Sequence, residues 1–172
     1  MSLTQTWLAT FTGKLTGDNV IASQSFQPKI TKSIALANGT AANQADLIYV
    51  AERTVADGAD DDIDLNGTLT DAFGNTVSMV EVVGIFLLNA PKTGSANTTD
   101  LTIGGGSNPF LGFLGGTTPT IGPFKPGAMF QMVSPDAAGL GTVTAGTADI
   151  LRISNSAGAA NKYQLVITGR SA

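Results

Sequence analysis

No stretch of this chain runs far before it meets a residue that turns the backbone. Glycine fills 21 of the 172 positions. Asn38-Gly39, Asp57-Gly58, Gly17-Asp18-Asn19 and several prolines fall between short apolar segments, where such residues mark turns. The longest apolar run, Val82-Val83-Gly84-Ile85-Phe86-Leu87-Leu88, is far short of the ~20 residues of a membrane span. This punctuation suits many short strands joined by tight turns and suits helices poorly.

The apolar periodicity agrees. Trp7, Ala9 and Phe11 alternate with Leu8, Thr10 and Thr12, and Ile30, Ile34 and Leu36 alternate with Thr31, Ser33 and Ala35; period two is the mark of a strand. Pro28 places the second of these at an edge. Leu47-Ile48-Tyr49-Val50-Ala51 reads as a strand apolar on both faces, and Ile63 and Leu65 mark a short strand edged by aspartates. Residues 70–75 read as one helical turn or a loop, capped by Asp71 or Thr70 and ended by Gly74. Residues 77–88 form the strongest apolar segment, broken at Gly84 by a bulge or a close backbone approach. Further strands are expected at 101–103, 129–133, 150–153 and 163–167. Residues 107–127 carry four prolines with Phe110, Phe113 and Phe124, a long loop whose aromatics need burial. About nine strands at this spacing, without a 20–50-residue repeat, predict an all-β, jelly-roll-like antiparallel β-sandwich. Residues 37–172 make the sandwich. Residues 1–36 are a strand or arm segment, either part of that domain or projecting to a neighbouring subunit.

A chain of this length buries roughly two-thirds of its unfolded surface, so it needs no metal or disulfide to fold. Charged residues are 13% of the chain, about half the usual ~25%, and Thr, Ser, Asn and Gln must supply much of the polar surface. The formal net charge is −4 and the pI about 4.5. Nine scattered Lys and Arg offer no cluster for displacing counterions, so neither nucleic acid nor a membrane surface is an expected partner. The first residues show no basic region followed by an apolar stretch of signal-peptide length, and synthesis in the cytoplasm is expected.

Chemistry is hard to place on this sequence. There is no Cys and no His, which removes thiolate chemistry, the commonest general base and the commonest metal ligand. Asp62-Ile63-Asp64-Leu65-Asn66-Gly67 fits the opening of a calcium loop, but the closing bidentate position is Phe73 and no flanking helices are visible. A strand that buries Ile63 and Leu65 and turns its aspartates to water explains the pattern better; an interfacial cation is the alternative. Gly104-Gly105-Gly106 lacks both the third glycine of a dinucleotide loop, since position 109 is Pro109, and the Lys-Ser/Thr of a P-loop; it reads as a turn. Glu52 and Glu81, the two glutamates, and the aspartates are the carboxylates from which a hydrolytic pair would come. Trp7 and the loop aromatics could stack on a sugar but are more often core or interface residues. No catalytic, cofactor-binding or metal-binding residue is assigned, and no enzyme activity is expected.

From Gly39 onward the chain carries several distinctive segments: Gly39-Thr40-Ala41-Ala42-Asn43-Gln44-Ala45-Asp46, residues 62–74, Ser107-Asn108-Pro109-Phe110-Leu111-Gly112, Lys125-Pro126-Gly127, Ser134-Pro135-Asp136-Ala137 and residues 143–151. In these it resembles a family of tailed-phage virion structural proteins, over roughly residues 39–172. The resemblance implies a virion component, capsid decoration or cement in the first instance and a tail or fibre part, including a carbohydrate-binding receptor module, in the second. The implied partners are the major capsid protein and copies of the chain itself, as a homo-oligomer at the capsid surface. Segment 1–36 and loop 107–127 are the expected contact elements.

Overall fold

A computed structural model describes residues 2–18 and 20–172, and of Thr68 the backbone only. Among the described residues there are fifteen strands and no helix. Four belong to the N-terminal segment: β1 (Gln5–Thr12), β2 (Leu15–Asp18), β3 (Ser23–Phe26) and β4 (Lys29–Leu36). The rest are β5 (Leu47–Val55), β6 (Asp60–Asp64), β7 (Asn66–Thr70), β8 (Thr76–Ser78), β9 (Glu81–Leu88), β10 (Leu101–Gly104), β11 (Thr120–Phe124), β12 (Met129–Val133), β13 (Gly141–Thr142), β14 (Ile150–Asn155) and β15 (Asn161–Arg170). The count exceeds the expected nine because several strands are two to five residues long and too polar or too glycine-rich to alternate.

Two antiparallel sheets face each other. One has the order β11-β10-β14-β6; the other runs β12-β9-β15-β5, with β13 also on β9. Their inner faces meet in one apolar core: Tyr49 and Val55 from β5, Ile85 and Leu87 from β9, and Leu165 and Ile167 from β15 pack against Ile63, Leu101, Ile103, Leu151 and Ile153. This is the expected β-sandwich. Alternation explains which residues enter it, because successive side chains of a strand point to opposite faces. Fully burying one such aliphatic side chain contributes about 1.5–3 kcal/mol.

Ion pairs and amides close the ends of the sandwich. Arg53 on β5 donates from Nε and Nη2 to Asp61 on β6 at 2.7 and 2.5 Å, and Tyr163 on β15 donates to the same carboxylate at 2.7 Å. At the C-terminus Arg170, fully buried, donates to Glu81 at 2.8 Å and to the carbonyls of Asp136, Ala137 and Gln44. Buried Asn161 reaches Asn89 and Thr99 at 3.0 Å, and Asn89 reaches the carbonyl of Phe124 at 2.8 Å.

Several local expectations change. The apolar segment 77–88 is divided at residues 79–80, between β8 and β9, and not at Gly84. A bulge does lie beside Gly84: Thr168 faces Gly84 while Gly169 faces Val82, which leaves Val83 as the extra residue. Of the two readings of residues 70–75 the loop is the one found, with Thr70 ending β7; Asp71 accepts the N–H groups of Phe73 and Asn75 at 2.8 and 2.9 Å. Loop 107–127 contains β11, and Phe110 is buried while Phe113 and Phe124 each lie 5.6 Å from the ring of Phe130. Gly17 and Asp18, expected in a turn, are the end of β2; Asn19 of that expected turn lies outside the described residues.

Candidate interaction surface

The N-terminal segment is a two-stranded ribbon. β1 and β4 pair over eight residues, from Gln5 opposite Leu36 to Thr12 opposite Lys29. β2 and β3 extend it from Leu15 opposite Phe26, past a Gly13 N–H to Pro28 carbonyl bond of 3.1 Å. One face of β1–β4 carries the cross-strand pairs Trp7–Ile34, Ala9–Lys32 and Phe11–Ile30, since alternate residues share a face.

The base of that face is seated on the outer side of the five-stranded sheet. Trp7, Leu36, Ala45 and Val83 form a second buried cluster, with Ile34, Phe86 and Val133 packed against it. Gly84 makes the seat possible: a Cβ there would lie 2.7 Å from Trp7 Cζ2 and 3.0 Å from Thr168 Oγ1. The bulge at Val83 turns that side chain outward into this cluster while Val82 stays in the main core.

Beyond Trp7 the ribbon leaves the body. Phe11 is 58% exposed, Ile30 69%, Leu15 70% and Phe26 66%. Seven of the eleven exposed large hydrophobic side chains among the described residues lie on this ribbon, which makes it an apolar patch and not ordinary scatter. A cleft of about 900 Å³ separates the overhang, lined by Leu8, Phe11 and Ile30, from Phe86, Met129 and Val133 of the sheet.

The sheet face beside the seat is partly open: Phe86 packs against the Trp7 cluster, while Val166 and Gln131 are half-buried. Register across the strands gives three rows. Ile48, Thr168, Gly84 and Val133 lie at the ribbon's base; Val50, Val166, Phe86 and Gln131 come next; Glu52, Gln164, Leu88 and Met129 follow. Trp7 covers the first row. Val50 and Met129 are exposed on the other two. Loop 107–127, the other expected contact element, turns its aromatic side chains inward.

The residues with chemical potential are engaged elsewhere. Asp60 and Asp62 on β6 hold Arg152 on β14, Asp62 through both oxygens at 2.6 and 2.8 Å. Asp64 accepts the Asn66 N–H at 2.9 Å, and Asn66 Nδ2 donates to the Met79 carbonyl at 2.9 Å. The calcium-like segment is thus an extended strand and a turn, with Ile63 and Leu65 buried and Phe73 exposed. No group of three or more His, Cys, Asp or Glu among the described residues is placed to hold a metal. Glu81 pairs with Arg170, while Glu52 sits opposite Gln164, six residues away along β15. That spacing is about 20 Å, well beyond the separation of a glycosidase carboxylate pair. Gly104, Gly105 and Gly106 all have positive φ; Gly104 ends β10 against Pro119, and only Gly106 meets Arg152, where a Cβ would lie 2.5 Å from the guanidinium carbon. Trp7, on the seated part of the ribbon, is 9% exposed.

Two of the buried polar groups have shifted titrations. Burial opposes the charge of Asp61, but the hydrogen bonds from Arg53 and Tyr163 outweigh it and hold the carboxyl below the usual range. Burial, then the neighbouring Asp61 carboxylate, raises the Tyr163 phenol. Sequence reasoning missed these groups. The signal within reach was a lone charge closing an apolar strand of a charge-poor chain, as Arg170 does after Leu165-Val166-Ile167.

No protein-family model matches the chain, and no curated protein or solved structure is similar to it at a significant level.

Proposed function

We propose that this chain is a non-enzymatic structural protein of a tailed-phage virion, one that decorates or cements the outer capsid surface. The observation that carries the reading is the ribbon: an ordered arm with an apolar overhang, mounted on a sandwich whose charged groups are largely tied up in its own folding. A cementing protein works by burying surface across subunit boundaries, so that opening the shell exposes that surface again. It needs a rigid body, an element that reaches beyond it and no reaction chemistry. The partners in this reading are the major capsid protein and further copies of the chain, whose weak contacts multiply by avidity about a local symmetry axis. The motif resemblance over residues 39–172 supports the virion setting.

Antibody raised to the purified protein and gold-labelled on intact virions tests this. Label spread over the capsid faces is the expected result. Label confined to the tail or its tip would sink decoration and promote the tail or fibre reading. Removal of residues 1–36 is expected to abolish capsid binding and leave the sandwich folded, because its main core contains no residue of that segment. Capsid binding retained by the shortened chain takes the arm out of the mechanism.

A further inference from the structure

We infer that two copies of this chain clasp each other through their ribbons, the overhanging Phe11–Ile30 face of each lying on the partly open rows of the other's five-stranded sheet, with Lys32 over Glu52. This goes beyond the virion reading and holds for the free protein in solution.

The two surfaces match in spacing. On the ribbon, the Ala9–Lys32 pair lies one same-face step from the Phe11–Ile30 pair. On the sheet, Glu52 lies one same-face step from Val50, in the row next to Val50, Val166 and Phe86. Each step is about 7 Å along a strand. With Ile30 seated over Val50 and the ribbon running toward the Glu52 row, Lys32 lies one row along, over Glu52.

They also match in charge. Lys14, Lys29 and Lys32 against Asp18 give residues 1–36 a formal +2, whereas residues 37–172 hold six Lys and Arg against twelve Asp and Glu, a formal −6. Lys32 and Glu52 form no ion pair among the described residues. The Glu52 carboxylate accepts the Lys92 N–H at 2.5 Å from the side and stays exposed on the sheet face. Ribbons of two copies repel each other weakly and are drawn to the opposite body, which favours exchange over ribbon-to-ribbon stacking.

A single chain cannot make this contact. Trp7 is pinned over Gly84, and the ribbon departs across β12 with the 900 Å³ cleft beneath it. Bringing Phe11 down onto its own sheet would unseat Trp7. A second copy meets no such constraint, and because each chain carries both halves of the contact, a two-fold axis closes the assembly. The overhang offers one face of the ribbon to the contact, and reciprocity doubles it. The ribbon is already paired in register, so little ordering entropy opposes docking.

Sedimentation velocity on the full-length protein tests the clasp. Wild type is expected to be a dimer and the Phe11→Glu/Ile30→Glu variant a monomer. Both side chains are exposed, so the variant keeps its fold; unchanged emission from Trp7, the single tryptophan, checks this. Glu52→Lys is expected to weaken the dimer about tenfold, and Lys32→Glu combined with Glu52→Lys to restore it. Phe73→Ser, at an exposed position on the β7–β8 turn, should leave it unchanged. A wild type that stays monomeric to roughly 100 µM, a dimer that survives Phe11→Glu/Ile30→Glu, or a charge swap without recovery overturns the clasp. So does association seen only on capsid shells.

Discussion

Arg53, Asp61 and Tyr163 join β5 and β15 to β6, and so staple one sheet to the other. With one partner gone, a partly buried charge is left uncompensated, and Asp61→Asn is expected to cost about 2–4 kcal/mol at neutral pH. The sign of the pH dependence follows from the lowered carboxyl. The staple contributes in full above the unfolded-state Asp value of about 4 and loses its contribution as the pH falls through the lower folded value. Urea midpoints between pH 7 and pH 2 should therefore fall more steeply for wild type than for Asp61→Asn; parallel curves would remove Asp61 from the acid response. Tyr163 acts at the other limit: its raised phenol keeps full stability below about pH 10 and loses it above, and Tyr163→Phe should flatten that alkaline loss. Thr168 gives the opposite case. Its hydroxyl is buried beneath the ribbon with no hydrogen-bond partner. Thr168→Val is expected to stabilise by about 1 kcal/mol, read as a higher urea midpoint at unchanged slope.

At the scale of elements, Trp7 and Gly84 decide where the ribbon sits. Gly84→Ala places a methyl where Trp7 Cζ2 stands. The ribbon must lift, at a cost of about 1–3 kcal/mol, while the main core is untouched. The expected readout is a red-shifted Trp7 emission with the global urea midpoint lowered by no more than that amount. An unshifted spectrum would mean that the seat adapts around the methyl. The strands that carry this geometry were readable in advance where apolar residues alternate or run together: β1 and β4 stand on alternating segments, and β5, β12, β14 and β15 on short apolar ones. β2 and β3 were not readable. LTGD and SQSF have no apolar face to bury, and they are strands because each pairs with the other. β11 was hidden by Pro119, Gly122 and Pro123, and it is held by its pairing with β10.

At the scale of the whole molecule, the chain divides into a two-sheet body and an arm that shares little of its core with it. Stability and interaction are thereby separated. Removal of residues 1–36 takes away the small Trp7 cluster and exposes Val83, Phe86 and Val133, yet the large core remains. The shortened protein is expected to unfold cooperatively in urea with a lower midpoint and to tend toward aggregation through the uncovered sheet face. Loss of the cooperative transition would show that the arm is part of the folding unit.

The sequence by itself determined the fold class, because period-two alternation between frequent turn residues admits only short strands, and their apolar faces must meet another sheet. It left residues 1–36 open between an arm and a part of the same domain, and it holds neither Cys nor His. Tertiary structure alone decided which apolar residues remain uncovered. Trp7 and Phe11 share one strand face and the same alternation, yet one is buried and the other exposed, because the ribbon lifts off the sheet between them and leaves a cleft under Phe11. Burial is a property of what lies opposite a side chain, and a linear pattern states the face without stating whether anything covers it.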